Sequence, residues 1–472
     1  MAGATTHTDT PGRLRRLTAL IVLFGLWTTW VLLSSVADLQ NAWDVIGNRS
    51  APEVVAGSDL YFALNDMDAQ LANVLLVGDV RGLGFTRAQA LELYERRRSQ
   101  ADRDLQRAAS TAADPRTRRS VEATLDALGR YEMLAGQTML LDEQGPHPAG
   151  LPRQAALLRY RQATDLLQTR LLPAVHELTD QHAAALEATY GAGHDRILGA
   201  RLQLIVLGAV LLAALIGLQV FLTRRFRRAI NPPLLVATVL TATGLILGVG
   251  LHTAEAEYLR TAKKDAFDSM LALNQARALS YAANADESRY LLDPARSARY
   301  EAAFLTTTAR VVDLPGATLG TWDHRMDAAL ATYRRSPSTV GWGGLMGAEF
   351  RNITFPGERA AAEETLARYR DYQADDRTIR ALVTAGHLDR AVAFCTSYAP
   401  GASNHDFEAY DQSLERLIAI NQNAFDRTVR AGVTRLDGWA AALWAGSALT
   451  LVLSALGVRG RLGEYRRVMS GS

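Results

Sequence analysis

Five ionisable residues in two short stretches are the first candidates for chemistry. Asp66 and Asp68 lie in one half of the chain; Asp286, Glu287 and Arg289 lie in the other. Carboxylates beside a guanidinium can bind a small polar ligand or an outside partner. The same residues can also pair with one another along a solvated bundle face, which is the ordinary fate of surface charges. Arg277 and Tyr281, one helical turn apart, carry the same two readings. A second candidate is apolar. Trp342, Leu345 and Met346 fall in the glycine-rich run Gly341 to Gly347, which suits either a partner-contact surface or a loop tucked under its own bundle. A third is basic: Arg224, Arg225, Arg227 and Arg228 crowd a short link that could dock an acidic protein or anionic lipid.

Catalytic chemistry finds no support. The chain has no His-Glu-x-x-His, no glycine-rich phosphate loop and no Gly-x-Ser-x-Gly. Its single cysteine, Cys395, excludes an intrachain disulfide and a thiolate metal site. No catalytic residue, metal ligand or cofactor is expected. A net charge of +2 gives no field that would gather nucleic acid. Tyr131, Tyr369 and Tyr372 recur at helical spacing and read as bundle core whose hydroxyls reach a partner or water. Asn421 interrupts an apolar stripe and reads as a buried register-setting residue. Cys395 reads as inert core.

These residues must be positioned by helices. Four apolar stretches are long enough to cross a bilayer, which takes about 20 residues of helix: residues 17–36, 202–222, 234–251 and 439–457. Arginines set the orientation. Arg13, Arg15 and Arg16 precede the first stretch, the four link arginines separate the second and third, and Arg459, Arg461, Arg466 and Arg467 follow the fourth. All three groups fall on one side, the cytoplasmic one. The expected order is therefore a cytoplasmic N-terminus (1–16), an extracytoplasmic helical bundle (37–201), an Arg-rich link (223–233), a second bundle (252–438) and a cytoplasmic C-terminus (458–472), in the plasma membrane.

The halves repeat. Asp68-Ala69 with Leu75-Leu76 returns as Asn284-Ala285 with Leu291-Leu292, an offset of 216. Glu122-x-Thr124-Leu125 returns as Glu363-x-Thr365-Leu366, and Asp180-Gln181-His182-Ala183 as Asn421-Gln422-Asn423-Ala424, both at 241. The change of offset places a net insertion between Leu292 and Glu363. Apolar residues recur at three and four along the outer segments, with breaks at Gly78 to Gly84, Ala113 to Pro115, Gly145 to Pro152, Asp293-Pro294, a long irregular stretch from Ser336 to Gly357, and Ala385-Gly386. The fold class is all-α: a four-span membrane protein with two tandem four-helix bundles outside, whose first and last helices run straight on from the spans. Pro52 and Gly57 should kink the first helix, and the second half has no proline there.

The segments Arg224-Arg225-Phe226-Arg227-Arg228-Ala229-Ile230-Asn231-Pro232 and Ala285-Asp286-Glu287-Ser288-Arg289-Tyr290-Leu291-Leu292, in this architecture, resemble the actinobacterial four-span membrane proteins of the GlnX type. The near-exclusive use of arginine over lysine suits a GC-rich genome. The resemblance implies a solute-binding lipoprotein of glutamine type as outside partner and a cytoplasmic serine/threonine kinase or adaptor inside. It implies a non-enzymatic sensor or signal relay, and a homodimer is compatible with it. The residues by themselves leave a cell-envelope scaffold open. They argue against a transporter, because the spans are nearly free of charge.

Overall fold

The computed structural model describes residues 10–78, 84–111, 114–226 and 231–469. Among these the protein is all-α; extended pairing is limited to one isolated bridge, Asp313 with Gly343. Four helical runs are long and apolar enough to cross a membrane.

Helix α1 (Thr10–Asp44) passes through a π-helical turn (Val45–Ser50) into α2 (Ala51–Val77). The chain then forms α3 (Arg87–Thr111), α4 (Pro115–Asp142) and α5 (Gln154–Leu166), and a second π turn leads into α6 (Leu172–Phe226). The expected breaks have local causes. Gly78, Gly84 and Gly150 take φ of +54°, +77° and +73°, which side chains resist. Asp114 caps α4 by accepting from the backbone N–H groups of Arg116 and Thr117 at 2.7 and 3.2 Å, with Pro115 in the first turn.

The second half opens the same way. Helix α7 (Pro232–Arg260), a π turn (Thr261–Phe267) and α8 (Asp268–Leu292) repeat the α1–π–α2 run. Val45 and Thr261, where the two π turns begin, stand at the repeat offset of 216. A π turn lodges an extra residue in the helix. It occurs in both halves, with and without a proline, so Pro52 is not its cause. The chain continues through α9 (Ser297–Val311), α10 (Trp322–Arg335), α11 (Gly344–Asn352), α12 (Glu358–Thr384), α13 (Leu388–Thr396), α14 (Ser403–Leu436) and α15 (Trp439–Met469). The second half thus holds more than four helices. The stretch Ser336 to Gly357, expected to be irregular, folds α11 within it.

Two compact units result. The first comprises Met1–Asn48, Glu187–Thr261 and Arg427–Ser472 and carries the apolar spans. Its helices meet where glycine leaves room: a Cβ on Gly208 would sit 2.7 Å from Leu245, and one on Gly248 would sit 2.8 Å from Leu204. Gly244, which with Gly248 makes a Gly-x-x-x-Gly spacing, faces open space. Trp43 donates its indole N–H to Glu255 at 2.9 Å and packs over Gly432.

The second unit comprises Arg49–Leu186 and Ala262–Asp426. The two halves each build a core here, but the cores are joined. Leu291, Leu292, Ile379, Ala391, Val392 and Cys395 of the second half complete the core made by α2, α4 and α5. The other core belongs to the second half alone and contains Trp342 and Met346.

Candidate functional site

Helix α2 is buried on nearly every face from Leu60 to Val77. A helix with no solvent face must satisfy each polar side chain internally. Asp66, Asp68, Gln70 and Asn73 lie in that run, so each demands a partner, and α8 supplies several. The two helices lie in register. Ser288 Oγ donates to Asn73 Oδ1 at 3.0 Å across 215 residues, and Arg289 reaches Asp68 across 221, separations that bracket the repeat offset. Positions related by the repeat therefore face each other.

Asp68 is the centre of the site and has no exposure. It accepts from Tyr131 Oη and Tyr160 Oη, each at 3.1 Å, and from Thr164 Oγ1 at 3.0 Å. Arg289 adds Nε at 3.1 Å and Nη2 at 2.7 Å. The third guanidinium nitrogen, Nη1, binds Asp286 at 2.5 Å. Four helices, α2, α4, α5 and α8, thus converge on one carboxylate. Burial would push Arg289 toward neutrality, but Asp68 and Asp286 outweigh it and hold the guanidinium charged. Burial pushes Asp286 up, with Arg289 opposing. Burial and the Asp68 charge push the Tyr131 and Tyr160 hydroxyls well above their ordinary range, so both remain neutral donors. One guanidinium serves two carboxylates, which leaves the junction one negative charge in excess when both are ionised.

A second polar layer lies nearby. Arg97 Nε donates to Asp66 at 2.6 Å, and Gln70 Nε2 to the other oxygen at 2.7 Å. Arg277 binds Asp411 through two nitrogens at 2.6 and 2.7 Å and Glu415 at 2.6 Å; Tyr281 Oη adds a bond to Asp411 at 2.9 Å. The Phe62 ring lies between these two arginines, with guanidinium carbons 4.3 and 4.4 Å from its centroid, and meets Tyr281 edge-on at 4.4 Å.

Beside the junction lies a cavity of about 410 Å³. Tyr61 and Asn65 of α2, His176 of α6, Asp286 and Arg289 of α8, and Arg310 of α9 supply its polar wall. Leu172, Pro173, Ala278, Leu279 and Ala282 supply apolar surface. Burial pushes the Tyr61 hydroxyl up, opposed first by the positive charge of Arg310 and then by a hydrogen bond with Asn65.

The structure therefore brings Asp66, Asp68, Arg277, Asp286 and Arg289 into one buried neighbourhood. They pair with one another or with neighbours, as one reading held, but on no solvated face. Glu287 is also buried, with Oε1 lacking a hydrogen-bond partner. The apolar candidates go elsewhere. Trp342 is 3% exposed and sits edge-on against Tyr333 and Phe350, Met346 is 1% exposed, and Leu345 packs half-buried on the same core. They are core residues and not a partner surface, because α11 folds their side chains inward. Asn421 is fully buried, as expected. Tyr131 finds its partner, whereas Tyr369 and Tyr372 are buried without one for their hydroxyls. Arg224 is exposed at the end of α6, and the side chain of Arg225, together with Arg227 and Arg228, lies outside the described residues. The spacing of residues did not reveal Arg97, Tyr61, Tyr160, Thr164, Arg310 or Asp411. Tyr160 and Thr164 do stand one turn apart, the one available signal that they act on a common partner.

Residues 42–191 match the family model of an actinobacterial sensor domain. The match runs from the end of α1 into α6 and includes Asp68, Tyr131, Tyr160 and Thr164. No curated protein and no solved structure matches the chain. The match covers about a third of an all-α chain that has four candidate membrane spans, and it supports a sensor or signalling role.

Proposed function

We propose that this chain is a non-enzymatic transmembrane relay. On this reading the α2–α8 unit faces the outside of the cell membrane and both termini lie in the cytoplasm. An extracytoplasmic amino-acid-binding protein, of the glutamine or glutamate type, docks on the outer unit, and a cytoplasmic serine/threonine kinase or its adaptor reads the outcome. The observation that carries the proposal is the sensor-domain match on a chain with four candidate spans. Supporting it, α6 is one uninterrupted helix from Leu172, beside the cavity, to Phe226, next to the arginine link. A packed helix transmits small displacements because packing has discrete arrangements. The α2–α8 junction is an element on which both halves act, as a relay needs.

The test is crosslinking in intact cells followed by affinity capture of the full chain. Recovery of a solute-binding lipoprotein together with a kinase or its adaptor supports the relay. Recovery of wall-building enzymes without either one refutes it in favour of an envelope scaffold.

A further inference from the structure

We propose that the cavity between α2, α6, α8 and α9 is a direct binding site for a small organic carboxylate, with Arg310 as its charged anchor and Tyr61 and Asn65 as neutral hydrogen-bonding groups. This goes beyond the relay reading, in which the ligand reaches the chain only through another protein.

Size admits the class: about 410 Å³ falls within the range of roughly 300–1,000 Å³ typical of small-molecule sites. So does the mixture of polar wall and apolar floor, where Leu279 and Ala282 offer a surface for a short hydrocarbon body.

Charge selects within that range. Arg289 also lines the cavity, but its three nitrogens are spent on Asp68 and Asp286. The other arginines joining the halves on this side are spent too. Arg161 holds Asp293, and Arg296 and Arg299 hold Asp165; within the second half, Arg380 is spent on Asp376 and Glu301. His176 lies 3.4 Å from Asp180. Arg310 differs: among the described residues no carboxylate stands within ion-pair distance of it, although it is close enough to act on the Tyr61 hydroxyl. A guanidinium presents a planar fork that fits a carboxylate through two bonds. A phosphate dianion fits the site less well, because the lining offers one unspent cation and also carries the carboxylate of Asp286. A simple amine would meet Asp286 only at the oxygen Arg289 leaves, with the positive charges of Arg289 and Arg310 in the same wall.

The occupant would touch α2 through Tyr61 and α9 through Arg310, one helix from each half. It would therefore bind only the arrangement in which the halves are joined, and stabilise it.

The test is isothermal titration calorimetry of the purified full chain in detergent, with no partner protein present. Butyrate and benzoate serve as carboxylate probes, butylamine as the amine and inorganic phosphate as the dianion. A carboxylate should bind in the millimolar range or tighter, while butylamine and phosphate should not. R310Q should weaken that binding about tenfold or more, R310K should retain part of it, and Y61F should weaken it several-fold. Circular dichroism of each variant, unchanged from the parent, excludes unfolding as the cause. Equal carboxylate binding by R310Q overturns the proposal, as does preference for the amine or phosphate, or no heat from either carboxylate. Because no partner is present, these outcomes do not depend on whether the relay reading stands.

Discussion

Removing Arg289 should be among the most damaging single changes in the protein. In R289M the side chain keeps most of its volume but loses its charge. Asp68, fully buried, retains only the hydroxyls of Tyr131, Tyr160 and Thr164, and Asp286 loses the one guanidinium it binds. Breaking a buried ion pair from one side costs about 3–5 kcal/mol, because the surviving charge stays in a poorly solvating interior. Two carboxylates survive here, so the upper part of that range applies. Replacing Asp68 with Asn removes one of the stranded charges. D68N alone should also destabilise, because Arg289 loses two of its three bonds. The D68N/R289M double variant should then recover about 2 kcal/mol or more relative to the sum of the single changes. The assay is urea unfolding of the full chain in detergent, followed by helical ellipticity. A loss below about 1 kcal/mol in R289M, or additive effects in the cycle, would refute the view that one coupled junction fastens the halves.

A second expectation concerns pH. Burial pushes Glu349 up to about 8, opposed by the Ser269 hydroxyl and reinforced by the neighbouring Glu358. The folded protein then keeps a proton that the unfolded chain releases above about pH 4.5, so stability should fall as pH rises from there to about 8 and level off beyond. E349Q, which cannot ionise, should flatten that slope and melt higher at pH 8; an unchanged slope would rule Glu349 out as its source. Trp342, as a core residue packed against Tyr333 and Phe350, should cost about 3–5 kcal/mol on truncation to Ala, while docking of any outer partner by the folded protein persists. Retained stability with lost docking would restore the surface reading. For orientation, cysteines placed at Ser99 and Ser338 should react with a membrane-impermeant thiol reagent on whole cells, and one at Thr223 should not. The opposite pattern would reverse every inside and outside role proposed above.

Much of the fold was legible because its signals are local. Span length and the glycine and proline breaks each act within a few residues. Matches at fixed offsets pointed to a repeat, and the π turns that begin at Val45 and Thr261 stand 216 residues apart. The insertion was placed between Leu292 and Glu363, and α10 and α11 lie in that interval. Its internal structure was not foreseen, because a glycine-rich run carries no helical period, and α11 owes its place to packing of its Phe350 against Tyr333 and Trp342.

By itself, then, the sequence determined most of the helical segments outside Ser336 to Gly357, which segments are apolar enough to enter a bilayer, and that Asp66, Asp68, Asp286 and Arg289 were worth following. Tertiary structure alone decided what those charges do. Whether an aspartate is solvated or buried depends on what covers its helix, and α2 is covered by α8, over 200 residues away along the chain. A 3.6-residue period shows which face of a helix is apolar. It does not show that a polar face will be closed over by the other half of a repeat, nor that Arg289 will be spent there while Arg310 is left without a carboxylate. Those outcomes depend on long-range packing, where the desolvation of each charge is balanced by partners that no local spacing encodes.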